Sequence, residues 1–393
     1  MKKNVVLGVS GGIAAYKALE IVSLLVKQNI NVDVIMTKSA TEFVTPLSFQ
    51  SLSQNMVICD MFAEPRAWEI QHISLAQKAD VLLVAPATAN IIGKVANGIA
   101  DDMLSTTIMA TKAKVIFAPA MNTNMYENPI VQDNIKKLKS FGYEFINPIE
   151  GRMACGTTGA GKFESPNVIV DRVLMELNEK KDLLNKNVVV TAGPTIAQID
   201  PVRFITNRST GKMGYAIAKE ARNRGANVTL ITGPTNIEVP RNINVIKVST
   251  NEEMKSEVIK QFEHADIVIK SAAVADYKPK NYSDQKIKKG EGDLSIEFVR
   301  DNDILMELGN RKEKQILVGF AAESQNLIEN ARLKLQRKNL DYIVANDITA
   351  VDTGFASEDN RVVILSKDKE MYLDKMSKEK IAGNLFDIIL EKR

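Results

Sequence analysis

The stretch VVLGVSGGIAAYK, Val5 to Lys17, decides how the first part of the chain is read. An apolar, largely β-branched run ends in a Ser-Gly-Gly turn, and a helical pattern begins near Ile13. A strand that runs through a small-residue turn into a helix is the opening unit of a doubly wound α/β sheet. The backbone N–H groups at such a turn attract anions. The glycines stand at Gly8, Gly11 and Gly12, a GxxGG spacing that departs from the GxGxxG of dinucleotide sites. The turn suits the single phosphate of a mononucleotide better than an NAD pyrophosphate, and a ligand-free tight turn is the plainer alternative.

Outward from this stretch the pattern repeats in NVDVIM (31–36), ADVLLVAPA (79–87) and KVIFAPA (114–120). Unbroken apolar strands alternating with helices indicate a parallel sheet covered on both faces. The charged MELNEKKDLLNKN (175–187) interrupts the series. It restarts with VVVTAGPT (188–195), NVTLITGPT (227–235), ADIVIKSAAVAD (265–276), ILVGFAAE (316–323) and DYIVAND (341–347). A chain of 393 residues exceeds most single cores. The expectation is therefore two doubly wound, mainly parallel α/β domains, residues 1–186 and 187–393.

Composition narrows the function. The chain is 45% hydrophobic and 25% charged, and 51 basic against 48 acidic residues leave a net charge of only +3. No basic block interleaved with aromatics appears, so no nucleic-acid partner is expected. No apolar run is long enough to cross a bilayer, and the N-terminal MKKNVV reads as a first strand, not a signal peptide. Cys59 and Cys155 are the two cysteines, too few for a disulfide framework, which fits a reducing cytoplasm.

In open α/β sheets ligands gather beyond the carboxyl ends of strands. There the first domain places Ser10, Gly11 and Gly12, then Thr37 and Ser39, then Thr88 in APATAN; Ser105 and Thr106 join this rim or simply occupy a helix. PAMNTNMY (119–126) ends a strand in a proline and two asparagines, Asn122 and Asn124, which is a turn signal or a polar grip. His72 opens a helix and suits a general base, or is a solvated histidine. Cys155 sits in the glycine-rich GRMACGTTGAGK, where a reactive thiol on a flap is the functional reading, whereas Cys59 reads as core.

In the second domain TAGPTIAQIDPVRFITNRSTGKMG fails the Walker pattern twice, with Thr206 at the first glycine position and Met213 after Lys212. It reads as a polar loop opening a helix near Lys212, with Arg203, Asn207 and Arg208 available to anions. KIKK (286–289) is a solvated charged strand or loop or, lying in a glycine-bounded connection, a segment from which lysines close over phosphates. Lys334 and Lys338 are four apart and share a helix face.

Together GVSGGIAAYK, His72, APATAN, PAMNTNMY and the ACG loop resemble the flavin-dependent cysteine decarboxylases. The second half resembles the phosphopantothenate–cysteine ligases, and the fusion is similar to the bifunctional bacterial coenzyme A biosynthesis proteins over nearly the full length. The resemblance implies a flavodoxin-like FMN domain followed by a Rossmann-like ligase domain, with FMN at Ser10, Gly11, Gly12, Thr37, Ser39, Thr88, Ser105 and Thr106. It implies that Asn122 grips the substrate carboxylate, that His72 acts as base during thiol oxidation to a thioaldehyde, and that Cys155 donates a proton to the enethiolate left after CO2 departs. Tyr126 stands where the family usually has Trp but keeps a flat aromatic face.

For the ligase half the resemblance implies 4'-phosphopantothenate, cysteine and CTP as substrates, with an acyl-CMP intermediate. Arg203 and Asn207 would hold the acyl phosphate region, and Lys286 would assist its conversion. Ser271, Ala272, Ala273, Asp276, Asn302, Asp303, Ile304, Leu305, Phe320, Lys334 and Lys338 would line the nucleotide site, with Mg2+ bridging phosphates and few protein ligands. The family further implies flavin-domain trimers and ligase-domain dimers, hence a dodecamer. A chain with one half reduced to a binding module is the second reading, set against the presence of His72, Asn122, Cys155, Asn207 and Lys286; an NAD oxidoreductase is disfavoured by the glycine spacing.

Overall fold

Parallel strands form where the apolar runs lie. The computed structural model describes residues 2–62, 70–152, 156, 158–289, 293–323, 325–347, 357 and 359–391, in two units, Met1–Glu179 and Lys180–Arg393.

In the first unit, β1 (Asn4–Val9), β2 (Asn31–Met36), β3 (Val81–Ala87), β4 (Lys114–Pro119) and β5 (Glu144–Phe145) form a parallel sheet in the order β2-β1-β3-β4-β5. This is the flavodoxin-like order, which reverses direction between β1 and β3. Alternation along β1 explains its unbroken apolarity: Val5, Leu7 and Val9 face one core and Val6 the other. A Cβ on Gly8 would stand 2.3 Å from Leu104 Cδ1, so glycine lets the helix Met103–Ala110 lie directly on the strand. A hairpin, β6 (Ile149–Arg152) with β7 (Thr158–Lys162), follows the sheet.

The second unit carries β8 (Asn187–Ala192), β9 (Ile196–Gln198), β10 (Phe204–Thr206), β11 (Asn227–Thr232), β12 (Asn244–Lys247), β13 (Ile267–Lys270), β14 (Tyr277–Pro279), β15 (Phe298–Arg300), β16 (Ile316–Glu323), β17 (Tyr342–Asp347), β18 (Asp359–Ser366) and β19 (Glu370–Ser377). Its eight-stranded sheet runs β12-β11-β8-β13-β16-β17-β18-β19. The first six strands are parallel in the Rossmann order 3-2-1-4-5-6, reversing between β8 and β13. β18 and β19 extend it antiparallel, a pair the sequence reading did not place. Antiparallel ribbons β9–β10 and β14–β15 stand outside the sheet. Val188 and Val190 face one core with the helices Lys212–Asn223 and Lys378–Leu390, and Val189 faces the other. Among the described residues no helix is long and apolar enough to cross a membrane.

Candidate functional site

Each sheet has its own reversal point, and each opens a cavity there. In the first unit Ser10, 2% exposed, spans the reversal: its Oγ donates to the Pro86 carbonyl at 2.7 Å and accepts from the Thr88 amide at 3.0 Å. Its hydroxyl thus ties β1 to β3. The turn beyond it is set by space. A Cβ on Gly11 would stand 2.4 Å from Ser39 Cβ and 2.7 Å from the Ser39 carbonyl carbon, so the β1 and β2 turns touch only because residue 11 is glycine. Gly12 is extended before a short 3-10 helix, Ile13–Lys17, and the backbone N–H groups of Gly11 to Ala14 find no acceptor among the described residues. Gly11→Ala is expected to destabilise this unit by about 1–3 kcal/mol, because the Ser39 backbone must move. A thermal melt unchanged from wild type would contradict this close approach.

Of the other rim residues, Thr37 and Thr88 cap helices, accepting from the Ala40 and Ile91 amides. Ser39 is exposed beside Gly11. Ser105 is fully buried in a capping box with Asp102, its Oγ 2.9 Å from the Asp102 carboxylate, which Lys94 also pairs at 2.9 Å. Thr106 Oγ1 donates to the Ala100 carbonyl. Ser105 therefore positions the helix that packs on Gly8, and its hydroxyl is engaged within the chain.

A cavity of about 520 Å³ is lined by Gly11, Gly12, Thr88 and Asn122 and, from the hairpin, by Arg152 and Lys162. Asn122 caps the short helix Thr123–Glu127, its Oδ1 accepting from the Asn124 amide at 2.9 Å. Tyr126 is half-buried against the second core, where burial raises its phenol pKa although Gln132 lowers it. His72 is half-buried at the second position of the helix Gln71–Lys78 and is not among the cavity-lining residues. Cys155 lies outside the described residues. Cys59 packs on the first core, and burial pushes its thiol pKa up, with Asp60 adding to the shift.

In the second unit the reversal lies between β8 and β13. Thr191 Oγ1 accepts from the Ala272 amide at 3.1 Å and Thr195 Oγ1 from the Ala275 amide at 3.2 Å, so the two strand ends are cross-braced. Asn207 Nδ2 donates to the Ala273 and Val274 carbonyls at 3.2 and 3.0 Å, folding its loop onto that brace. The cavity here, about 370 Å³, brings together Asn207, expected at the acyl phosphate, with Ser271, Ala272, Ala273, Asp276, Leu305, Phe320, Lys334 and Lys338, expected at the nucleotide. Lys334 pairs Glu323 at 2.5 Å and Lys338 pairs Asp303 at 2.9 Å. Asp303 caps the helix Ile304–Arg311, whose first residues Ile304 and Leu305 are buried. Asn302 accepts at its carbonyl from Asn251.

Five expected members stand outside the lining: Asn302, Asp303 and Ile304, which immediately precede Leu305, and Arg203 and Lys286. Arg203 pairs Asp200 at 3.5 Å, and Lys286 is exposed on its loop; neither lines the cavity. Asp200, which the sequence reading missed, is 2% exposed and accepts from the Val202, Arg203 and Ile287 amides at 2.8, 2.8 and 3.2 Å. Burial works to raise its carboxyl pKa, but these donors and Arg203 prevail and lower it. It ties the turn between β9 and β10 to the KIKK loop.

Lys270, also missed, ends β13 and lines the cavity with Lys334 and Lys338. Burial first, then the Lys338 charge, lowers its pKa to about 8, although Asp303 and Asp276 pull the other way. Among the described residues no group of three or more His, Cys, Asp or Glu side chains could hold a metal ion. A cationic hollow beside a braced strand end suits an anion of several charges.

Comparison with known proteins matches both units. The family described as Flavoprotein matches residues 1–178, and the DNA/pantothenate metabolism flavoprotein C-terminal domain matches residues 183–392. The Coenzyme A biosynthesis bifunctional protein CoaBC of Bacillus subtilis is 52% identical over 93% of this chain and 91% of its own length. That of Borreliella burgdorferi is 44% identical over 98% of this chain and 99% of its own. A solved C-terminal domain of such a protein is 40% identical over 54% of this chain and 100% of that one, with a TM-score of 0.47.

Proposed function

Because the chain belongs to the family of bifunctional coenzyme A biosynthesis proteins, we propose that residues 187–393 join cysteine to 4'-phosphopantothenate at the expense of CTP, through an acyl-CMP intermediate, and that residues 1–186 decarboxylate the product to 4'-phosphopantetheine with FMN. The observation that carries the reading is the pair of reversal-point cavities, the first setting Asn122 beside the Gly11 turn and the second gathering Lys270, Lys334 and Lys338 with Asn207.

FMN fits the first cavity on two counts. The Gly11 to Ala14 amides are donors for its phosphate, and Thr88 and Ser39 flank them. When bound, FMN supplies the two-electron sink and source that lets an N-acyl cysteine lose CO2 without net redox change. The protein's part is binding and proton transfer. The Asn122 amide orients the carboxylate that leaves, His72 takes a proton from the substrate side, and the Cys155 thiol returns one to the enethiolate carbon. Because His72 does not line the cavity of its own chain, the reading has a neighbouring copy supply it, in keeping with the dodecamer of the family, in the cytoplasm.

In the second cavity Lys270, Lys334 and Lys338 hold the triphosphate; Mg2+, which would be held mainly by the nucleotide, would offset its negative charge. Arg203 and Lys286 reach the acyl phosphate from the loops that Asp200 joins. The substrate carboxylate attacks the CTP α-phosphorus, pyrophosphate leaves, and the cysteine amine then displaces CMP. If the carboxylate carries ¹⁸O, one label is expected in CMP; unlabelled CMP with normal ligation would contradict the acyl-CMP route.

The Lys270 titration gives a pH signature. Its pKa in the free protein is about 8, and a bound anion raises it, so the ammonium's contribution to CTP affinity is complete below pH 8 and lost as pH climbs through the raised value. An anion that raises the pKa by one unit loses about tenfold in affinity across that window. Calorimetric titration of CTP with Mg2+ from pH 7 to 10 is expected to show this fall in wild type and a flatter profile in Lys270→Met. Equal slopes in the two proteins would contradict the assignment.

A further inference from the structure

The first cavity carries more positive charge than the proposed chemistry has used. Lys17, Arg152 and Lys162 all line it, and none of their side chains makes a hydrogen bond or ion pair among the described residues. Cations that share a hollow repel one another and persist there at a cost unless an anion joins them. Their places in the fold separate them. Lys17 ends the short helix that follows the Gly11 turn, on the side where the cofactor phosphate would lie. Arg152 ends β6 and Lys162 ends β7, so both belong to the hairpin.

That hairpin is fixed to the loop bearing Asn122. The Met121 amide donates to the Gly161 carbonyl at 3.0 Å. Gly161 has φ +129°, and a Cβ there would stand 2.4 Å from the Met121 carbonyl oxygen, so no other residue allows so close a contact. A Cβ on Gly159 would likewise meet Thr123 Oγ1 at 2.7 Å. Within the hairpin, Lys162 Nζ lies 3.3 Å from where a Cβ on Gly151 would stand, one residue from Arg152. Two cations without a side-chain partner among the described residues are thus held on the same clamped body as the asparagine that meets the carboxylate.

The geometry points to Arg152 and Lys162 as the site for the terminal phosphate of the decarboxylation substrate, so that one rigid hairpin-and-loop body reads both charged ends of a phosphorylated N-acyl cysteine. This rests on the decarboxylase reading above. A guanidinium offers a forked donor pair and an ammonium a point charge, a combination suited to phosphate. The site makes these residues specificity determinants: they favour the phosphorylated substrate over its dephospho counterpart and take no part in bond breaking.

The test compares phosphopantothenoylcysteine with pantothenoylcysteine in the full-length FMN-loaded enzyme. Wild type is expected to show a KM about tenfold or more lower for the phosphorylated compound. In Arg152→Met and Lys162→Met that KM is expected to rise toward the dephospho value, with kcat and the dephospho KM little changed, and Arg152→Lys is expected to restore part of the difference. Calorimetry with 4'-phosphopantetheine and pantetheine reads the same preference without turnover. A wild type that turns over neither substrate yet keeps a binding preference abolished by the two variants would remove the decarboxylase reading and leave the phosphate site standing. Equal KM values for the two substrates in wild type, variants that weaken both substrates alike, or variants that lose FMN in place of the preference would overturn the proposal.

Discussion

Asn122→Ala is expected to leave a chain that still ligates cysteine to phosphopantothenate but accumulates the cysteine adduct. The side chain stands at the junction of three constraints: it caps the helix Thr123–Glu127 through the Asn124 amide, lines the cavity, and sits next to Met121, whose amide donates to the hairpin's Gly161 carbonyl. In the proposed reaction, removing the amide takes from the substrate carboxylate its orienting donor, and misplacement by about 1 Å costs on the order of 10²-fold in rate. Loss of the cap adds about 1 kcal/mol of local destabilisation, so the decarboxylation rate is expected to fall by about 10²–10³-fold. Because the second unit has its own core, ligation measured by pyrophosphate release should stay at the wild-type rate. Decarboxylation within threefold of wild type would contradict the role given to Asn122.

Asn207→Asp is expected to have the opposite selectivity. Asn207 Nδ2 donates to two carbonyls at the end of β13, and a carboxylate cannot donate to either. The substitution exchanges two hydrogen bonds, each worth about 1 kcal/mol, for repulsion between like partial charges. It also sets a negative charge on the lining of the cavity proposed to hold a triphosphate. Ligase turnover should fall by about 10²-fold or more, with weaker CTP binding, while decarboxylation of supplied phosphopantothenoylcysteine is unchanged. Asn207→Ala, which lacks the added charge, should fall less. Equal losses in the two variants would contradict the electrostatic part of this account.

The parallel strands were legible because burial on both faces demands apolar residues at every position, and VVLGV and VVVTA have them. The strand ends where ligands gather were legible too, since they carry small polar residues, but the strand order that sets each reversal point was not. What escaped the sequence reading depends on contacts distant in the chain. The Ser10 hydroxyl is engaged with Pro86 and Thr88, which only the pairing of β1 with β3 brings to it. Asp200 reads as an ordinary loop acid, because nothing local shows that the Ile287 amide will come to it. Lys270 did leave a signal, a lone cation closing the apolar run ADIVIK at a central strand's carboxyl end. Arg152 and Lys162 left none, because only the docking of β6 and β7 brings them into one cavity.

The central claim is that one chain carries out both steps in sequence. It is tested most directly by mass spectrometry of the products formed when purified protein is mixed with 4'-phosphopantothenate, cysteine, CTP and Mg2+, with each component withheld in turn. The account predicts 4'-phosphopantetheine whose appearance requires every component and is preceded by the cysteine adduct. Accumulation of the adduct with no phosphopantetheine, even when FMN is added, would contradict it, as would failure to form the adduct at all.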